Sequence, residues 1–212
     1  MSNFLLHNFC TKLYVKAKYK PNKNFKKLIF NFVNFSKIKN GTLLDIGCSS
    51  GWFRSYAKDV NYIGLDIIVR KDIKIDFPMA VGIGERLPFK DESLDHVLII
   101  ATLDHVISPE KVVKESYRIL KKGGRICILN TVRIPNSARK LSVYAFLLFQ
   151  KIIFFDFESI IMNSKEILLK KEDPYHTFEF TASYMKEMML KEGFSEVLLR
   201  NFLNTCFFKG RK

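Results

Sequence analysis

A short apolar run that breaks on two glycines, Thr42-Leu43-Leu44-Asp45-Ile46-Gly47-Cys48-Ser49-Ser50-Gly51-Trp52-Phe53, constrains this chain more than any other stretch. The run has the length and character of a buried strand. Gly47 and Gly51 then turn the chain into a pattern that reads as a helix over Trp52 to Lys58. Glycines at such a turn accept positive φ and let a ligand rest on bare backbone. In an open α/β sheet, ligands bind at the carboxyl ends of the strands. The spacing is Asp-x-Gly-x-x-x-Gly. It is neither the Gly-x-Gly-x-x-Gly of dinucleotide folds nor the Gly-Lys-Ser/Thr of a phosphate loop. Asp45, ahead of the turn, would repel a pyrophosphate and suits a cationic or amino-bearing ligand. In isolation, an ordinary strand-to-helix turn with incidental glycines reads the same way.

A second buried strand, Tyr62-Ile63-Gly64-Leu65-Asp66, ends in a carboxylate 19 residues past Gly47. In a βαβ unit that distance brings Asp66 beside the glycine turn, where an acid can accept hydrogen bonds from ribose hydroxyls. The stretch from Asp45 to Gly51 resembles motif I of the class I S-adenosylmethionine (SAM)-dependent methyltransferases. The resemblance implies that the turn, with Asp45, Gly47, Cys48, Ser49 and Gly51, lies under the methionine and ribose of SAM. It gives Asp66 the ribose, with Ile67 beside it.

Val81-Gly82-Ile83-Gly84-Glu85-Arg86-Leu87-Pro88-Phe89-Lys90-Asp91-Glu92-Ser93-Leu94-Asp95-His96-Val97 resembles the Asp-Ala-Glu-x-Leu-Pro-Phe-x-Asp-x-Ser-Phe-Asp-x-Val block of the ubiquinone-biosynthesis-like (methyltransferase type 11) group. There the first Asp holds the adenine amino group. Ile83 stands at that position here, so the adenine falls to backbone around Gly84, to apolar contacts, or to Glu85. Leu87-Pro88-Phe89 fixes the loop before strand four.

Leu94 to Ala101 reads as a central parallel strand. Thr102-Leu103-Asp104-His105-Val106 matches the family's Leu-x-His after that strand, which faces methyl donor and acceptor; Ala101 and Thr102 are cofactor-side candidates. His105 reads either as a base or as a loop-capping structural histidine. Asp104 stands where the family commonly has Glu. Ser108-Pro109-Glu110 opens a helix with Ser as N-cap and Pro in the first turn. Val112, Val113, Ser116, Ile119 and Leu120 form its buried stripe. Gly123-Gly124 is expected to close it, with Lys121 and Lys122 at its negative end, before strand five over Arg125 to Thr131.

Leu141 to Phe155 is apolar almost all round and too short to span a bilayer cleanly. Residues 137–172 read as a substrate-cap insertion, with core packing or homodimer contact through 141–155 as alternatives. Asp173-Pro174-Tyr175-His176, with the Phe-Thr and Glu-Gly-Phe that follow, resembles methyltransferases of glycan and natural-product pathways. There the His lies near the acceptor, so His176 is a second candidate base, or a loop-fixing residue. Thr181 caps a helix ending at Gly193, with Tyr184, Met185, Met188 and Met189 on its apolar side. Val197–Phe202 and Thr205–Phe208 read as closing strands, the last antiparallel.

Charge is uneven. Residues 1–44 hold nine lysines and no acid, against a formal net charge of +14 for all 212 residues. Two helices, 4–19 and 24–37, are expected there, the second docking through Phe25, Leu28, Ile29, Phe32 and Phe35. Residues 1–40 thus read as a basic helical extension of a domain over 41–212. Such an arm can meet RNA or an anionic membrane surface, or form a solvated face. Cys10, Cys48, Cys127 and Cys206 are widely spaced, which predicts free thiols in a reducing compartment and no metal site. No secretory signal is evident, so a cytoplasmic protein, peripheral at a membrane or not, is expected.

The expectation is an α/β Rossmann-like seven-stranded sheet binding SAM. It is read as a methyltransferase that acts by direct displacement on a small-molecule, glycan or lipid-linked O- or C-acceptor. An RNA methyltransferase and a non-catalytic SAM-binding protein are the alternatives. The chain lacks the Asn/Asp-Pro-Pro-aromatic motif of exocyclic-amine nucleic-acid methylases and the Pro-Cys pair of cytosine methylases.

Overall fold

The computed structural model describes residues 23–68, 74–132, 178, 180–202 and 205–212. In chain order these are α1 (Lys23–Ser36), β1 (Thr42–Ile46), a 3-10 turn (Trp52–Tyr56), β2 (Asn61–Asp66), β3 (Met79–Val81), β4 (Leu94–Ile100), a second 3-10 turn (Leu103–His105), α2 (Pro109–Ile119), β5 (Leu120–Thr131), α3 (Ala182–Lys191), β6 (Ser195–Phe202) and β7 (Thr205–Arg211). The expected helix 4–19, the 137–172 insertion and His176 lie outside the described residues.

The seven strands form one sheet in the order β3-β2-β1-β4-β5-β7-β6. The first five run parallel, and β7 inserts antiparallel between β5 and β6. The order reverses at β1, the switch point where open α/β sheets bind ligands.

Side chains alternate between two buried layers. Leu44, Ile46, Val97, Ile99, Ile126 and Ile128 face α2 and α3, where Val112, Val113, Met185 and Met189 are buried. Leu43, Leu98, Cys127 and Leu129 face the other side, where α1 supplies Ile29 and Phe32. Phe32 meets Phe207 and Phe53 edge-on, with ring centroids 5.2 and 6.2 Å apart. Two residues in the lysine-rich segment are thus fully enclosed parts of the domain core.

Three local expectations change. The crossover helix over Trp52 to Lys58 is instead the 3-10 turn Trp52–Tyr56. Its N-cap, Gly51, is left-handed at φ 68 and gives no side-chain cap, and the amide of Ala57 closes it onto Arg54. Three aromatics in five residues also favour a helix poorly. The third strand, implied by a seven-stranded sheet but not located from the sequence, is Met79–Val81, paired with Gly64–Asp66. β5 begins at Leu120, opposite Leu94, so Lys121 and Lys122 do not sit at a helix end; the ladder resumes at His96 and Arg125. Lys121 instead pairs with Asp95 at 2.9 Å, and Asp95 accepts the amide of Thr42. Tyr184 is exposed rather than on the apolar face, and its hydroxyl donates to Glu110. The N-caps Ser108 and Thr181 accept the amides of Lys111 and Tyr184 as expected.

Candidate functional site

At the carboxyl ends of β1, β2 and β4 the backbone is bent into shapes that side chains resist. Gly47 has φ 75, and a Cβ there would lie 2.3 Å from Thr102 Oγ1. Only glycine lets the turn pass so close to the loop after β4. That loop is bent too: Ala101 has φ 46 and Ser49 has φ 49, both left-handed non-glycine positions. Such strain persists where surrounding structure enforces it, and it clusters at binding sites. The Ala101 amide donates to Leu129, and Thr102 Oγ1 donates to Ile100.

The turn is tied to β2 by three successive amides. Gly47 and Cys48 both donate to the carbonyl of Leu65, at 2.8 and 3.1 Å. Ser49 donates to Asp66 Oδ2 at 2.9 Å, and Ile68 donates to Oδ1 at 3.1 Å. Asp66 therefore lies against the glycine turn, as the spacing predicts. Each of its oxygens retains a lone pair for further donors.

Asp45 is buried and accepts the hydroxyl of Tyr62 at 2.5 Å. Burial pushes its carboxyl up to about 7, against the hydrogen bond from Tyr62, with Asp66 adding to the rise. Cys48 is buried under β2, where a Cβ on Gly64 would meet its Sγ at 2.6 Å. Burial raises its thiol to about 12, so it is no nucleophile at neutral pH.

At the ends of β2 and β3, Ile67 and Ile83 are exposed apolar side chains, 39% and 46% accessible. Gly84 packs closely on Val112 and Ile46. Glu85 uses Oε1 to accept the amides of Ile107 and Ser108, at 2.8 and 3.3 Å, so one carboxylate oxygen is engaged with the loop ahead of α2. His105 is half-buried, its amide bonded to the carbonyl of Thr102 and its Nε2 3.9 Å from Asp104 Oδ2. His105 thus belongs to the same loop as Thr102.

Sequence reasoning missed how the Leu87-Pro88-Phe89 loop is held. Arg118 Nη2 donates to Leu87 O and Nη1 to Phe89 O, while Glu115 accepts the Leu87 amide and pairs with Arg118. The acid–arginine spacing on one helix was the available signal.

The donor set fits a nucleoside with a cationic centre. It offers a ribose-type acid, bare backbone, an acid beneath the turn and two exposed apolar side chains. Residues 44–128 match the family described as Methyltransferase domain. The chain is 28% identical to the demethylmenaquinone methyltransferase of Lactobacillus johnsonii, over 84% of this chain and 74% of that protein. It is 28% identical to the ubiquinone/menaquinone biosynthesis C-methyltransferase of Pseudomonas fluorescens, over 66% of this chain and 53% of that protein. It spans about half the length of several curated relatives. A solved SAM-dependent methyltransferase from Thermotoga maritima shares the fold, with TM-score 0.58 at 22% identity over 87% of this chain and 92% of that one. Among the described residues no helix is long and apolar enough to cross a membrane.

Proposed function

We propose, from the premise that residues 44–128 form a class I SAM-dependent methyltransferase domain, that the chain methylates a small-molecule or lipid-linked acceptor, at carbon or oxygen. The observation that carries this is the tie between Ser49 and Asp66, which sets against the glycine turn an acid able to accept hydrogen bonds from ribose hydroxyls.

SAM would supply a methyl group already activated on a sulfonium, whose S–CH3 bond breaks as the acceptor's bond to the methyl forms, leaving S-adenosylhomocysteine as the neutral thioether. Gly47, Ser49 and Gly51 would hold its amino-acid and ribose portions, and Asp66 would accept hydrogen bonds from the ribose hydroxyls. Ile67 and Ile83 would take the adenine by apolar contact, with Glu85 bonded at one oxygen to the loop before α2. The protein's task is to position the acceptor and exclude water. A hydroxyl or acidic-carbon acceptor must also lose a proton, and His105, beside Thr102, is the base candidate within the described residues. The relatives favour a quinone-like, lipid-linked acceptor methylated at carbon, since their names carry that chemistry.

The test is incubation of the purified protein with methyl-labelled SAM and fractionated cell extract. Label in the lipid or small-molecule fraction is expected. Label confined to RNA would replace this reading with the lysine-arm RNA methyltransferase. SAM binding with no label in any fraction would replace it with a non-catalytic SAM-binding protein.

A further inference from the structure

At the amino-terminal end of β5, opposite the crevice and on the face covered by α1, four cations gather around a single carboxylate, Glu196. Arg125 of β5 and Arg211 of β7 are register partners across an antiparallel pair. Like charges directly opposite destabilise a sheet. The pleat places Lys209, two residues before Arg211, on the same face. Lys37, left-handed at φ 52 just past α1, closes the group, its carbonyl accepting Arg125 Nη1 at 3.3 Å. Lys209 donates to the carbonyl of Phe35 at 3.0 Å and lies 5.0 Å from the centre of that ring. Burial, with Arg125, Lys37 and Arg200 nearby, holds its ammonium below the usual lysine range.

The four basic residues line a cavity of about 160 Å³. Its lining includes one carboxylate, Glu196, which lies 3.6 Å from Arg211. The preceding sequence brings no relief, because residues 1–44 contain no Asp or Glu. The cavity is smaller than the roughly 300–1,000 Å³ of drug-sized ligand sites. It suits one compact anionic group rather than a whole nucleotide.

We propose that Lys37, Arg125, Lys209 and Arg211 form a phosphate-binding pocket, separate from the SAM crevice, for a phosphomonoester or phosphodiester group. Arginine forks match phosphate oxygens in pairs, and lysines add point charge. A bound phosphate offsets the repulsion that the register forces on Arg125 and Arg211. The group can come from a soluble ester or from a phospholipid headgroup.

The experiment uses the intact protein without SAM. Inorganic pyrophosphate is titrated calorimetrically. In parallel, the protein is mixed with phosphatidylglycerol–phosphatidylcholine vesicles and with phosphatidylcholine vesicles alone. Arg125→Gln and Arg211→Gln each remove one member of the repelling pair together with one exposed bond, to Lys37 or to Glu196, so the unliganded variants should melt close to the parent. Lys37→Gln, on an exposed residue, serves if either fails to fold. Saturable pyrophosphate binding, weakened about tenfold or more in the variants, identifies a soluble phosphate source. Retention on phosphatidylglycerol vesicles that is lost in the variants identifies a headgroup. The proposal fails if neither probe separates parent from variants.

Discussion

The amide of Ser49 donates to Asp66 Oδ2 across 2.9 Å, so the acid ending β2 also anchors the turn that follows β1. Two segments 17 residues apart are thereby set as one unit before any ligand arrives. Pre-organisation of this kind reduces the ordering cost of binding.

Gly47→Ala should disable the site. Its Cβ would meet Thr102 at 2.3 Å in a backbone region that alanine resists. A strain of about 1–3 kcal/mol is expected in the turn. SAM affinity should fall at least about tenfold, and calorimetry beside thermal melting separates that loss from global unfolding.

Stability and SAM binding should both depend on pH through Asp45. Its folded value near 7 exceeds the 3.8 of an ordinary aspartate. Between those values the folded state holds a proton that the unfolded state has lost, so stability falls as pH rises from about 4 to about 7, with a limiting slope of about 1.4 kcal/mol per unit. Asp45→Asn should flatten that slope in denaturant titrations. A cationic ligand above the turn favours the ionised carboxylate, so SAM binding should release a proton and tighten from pH 6 to about 8. Asp45→Asn should abolish that trend.

Arg118→Ala should destabilise the domain by about 2–3 kcal/mol, from the loss of charged hydrogen bonds to Leu87 and Phe89. Urea midpoints measure this. Arg118→Lys should recover little, because one ammonium cannot span both carbonyls and Glu115.

Phe32→Ala should cost about 3–5 kcal/mol, as for other enclosed phenylalanines. Deletion of residues 1–36 should therefore unfold the domain rather than merely remove a basic arm. RNA or membrane binding by the lysines is better tested with charge-removing substitutions.

Much of the fold was legible because two signals are local. Gly47 and Gly51 mark a turn that only glycine makes easily, and the runs at 42–46, 62–66 and 94–100 read as buried strands. The stripe from Val112 to Ile119 follows from helical spacing. The misses arise where tertiary contacts decide. Met79–Val81 is a strand only because β2 offers it an edge. Leu120 joins β5 because Leu94 pairs with it. In the site, the distance from Gly47 to Asp66 announced their proximity. The bonds of Glu85 to Ile107 and Ser108 had no sequence signal, since a carboxylate finds those amides only once the loop has closed.

Calorimetric titration of SAM into the intact protein and into Asp66→Asn reads the contribution of the β2 acid to SAM binding. One SAM per chain is expected for the parent, with affinity lowered about ten- to a hundredfold in the variant by loss of the charged acceptor and of one of the two amide bonds that fix the turn, while the variant still melts cooperatively. No binding to the parent, or equal binding to both proteins, would contradict the account.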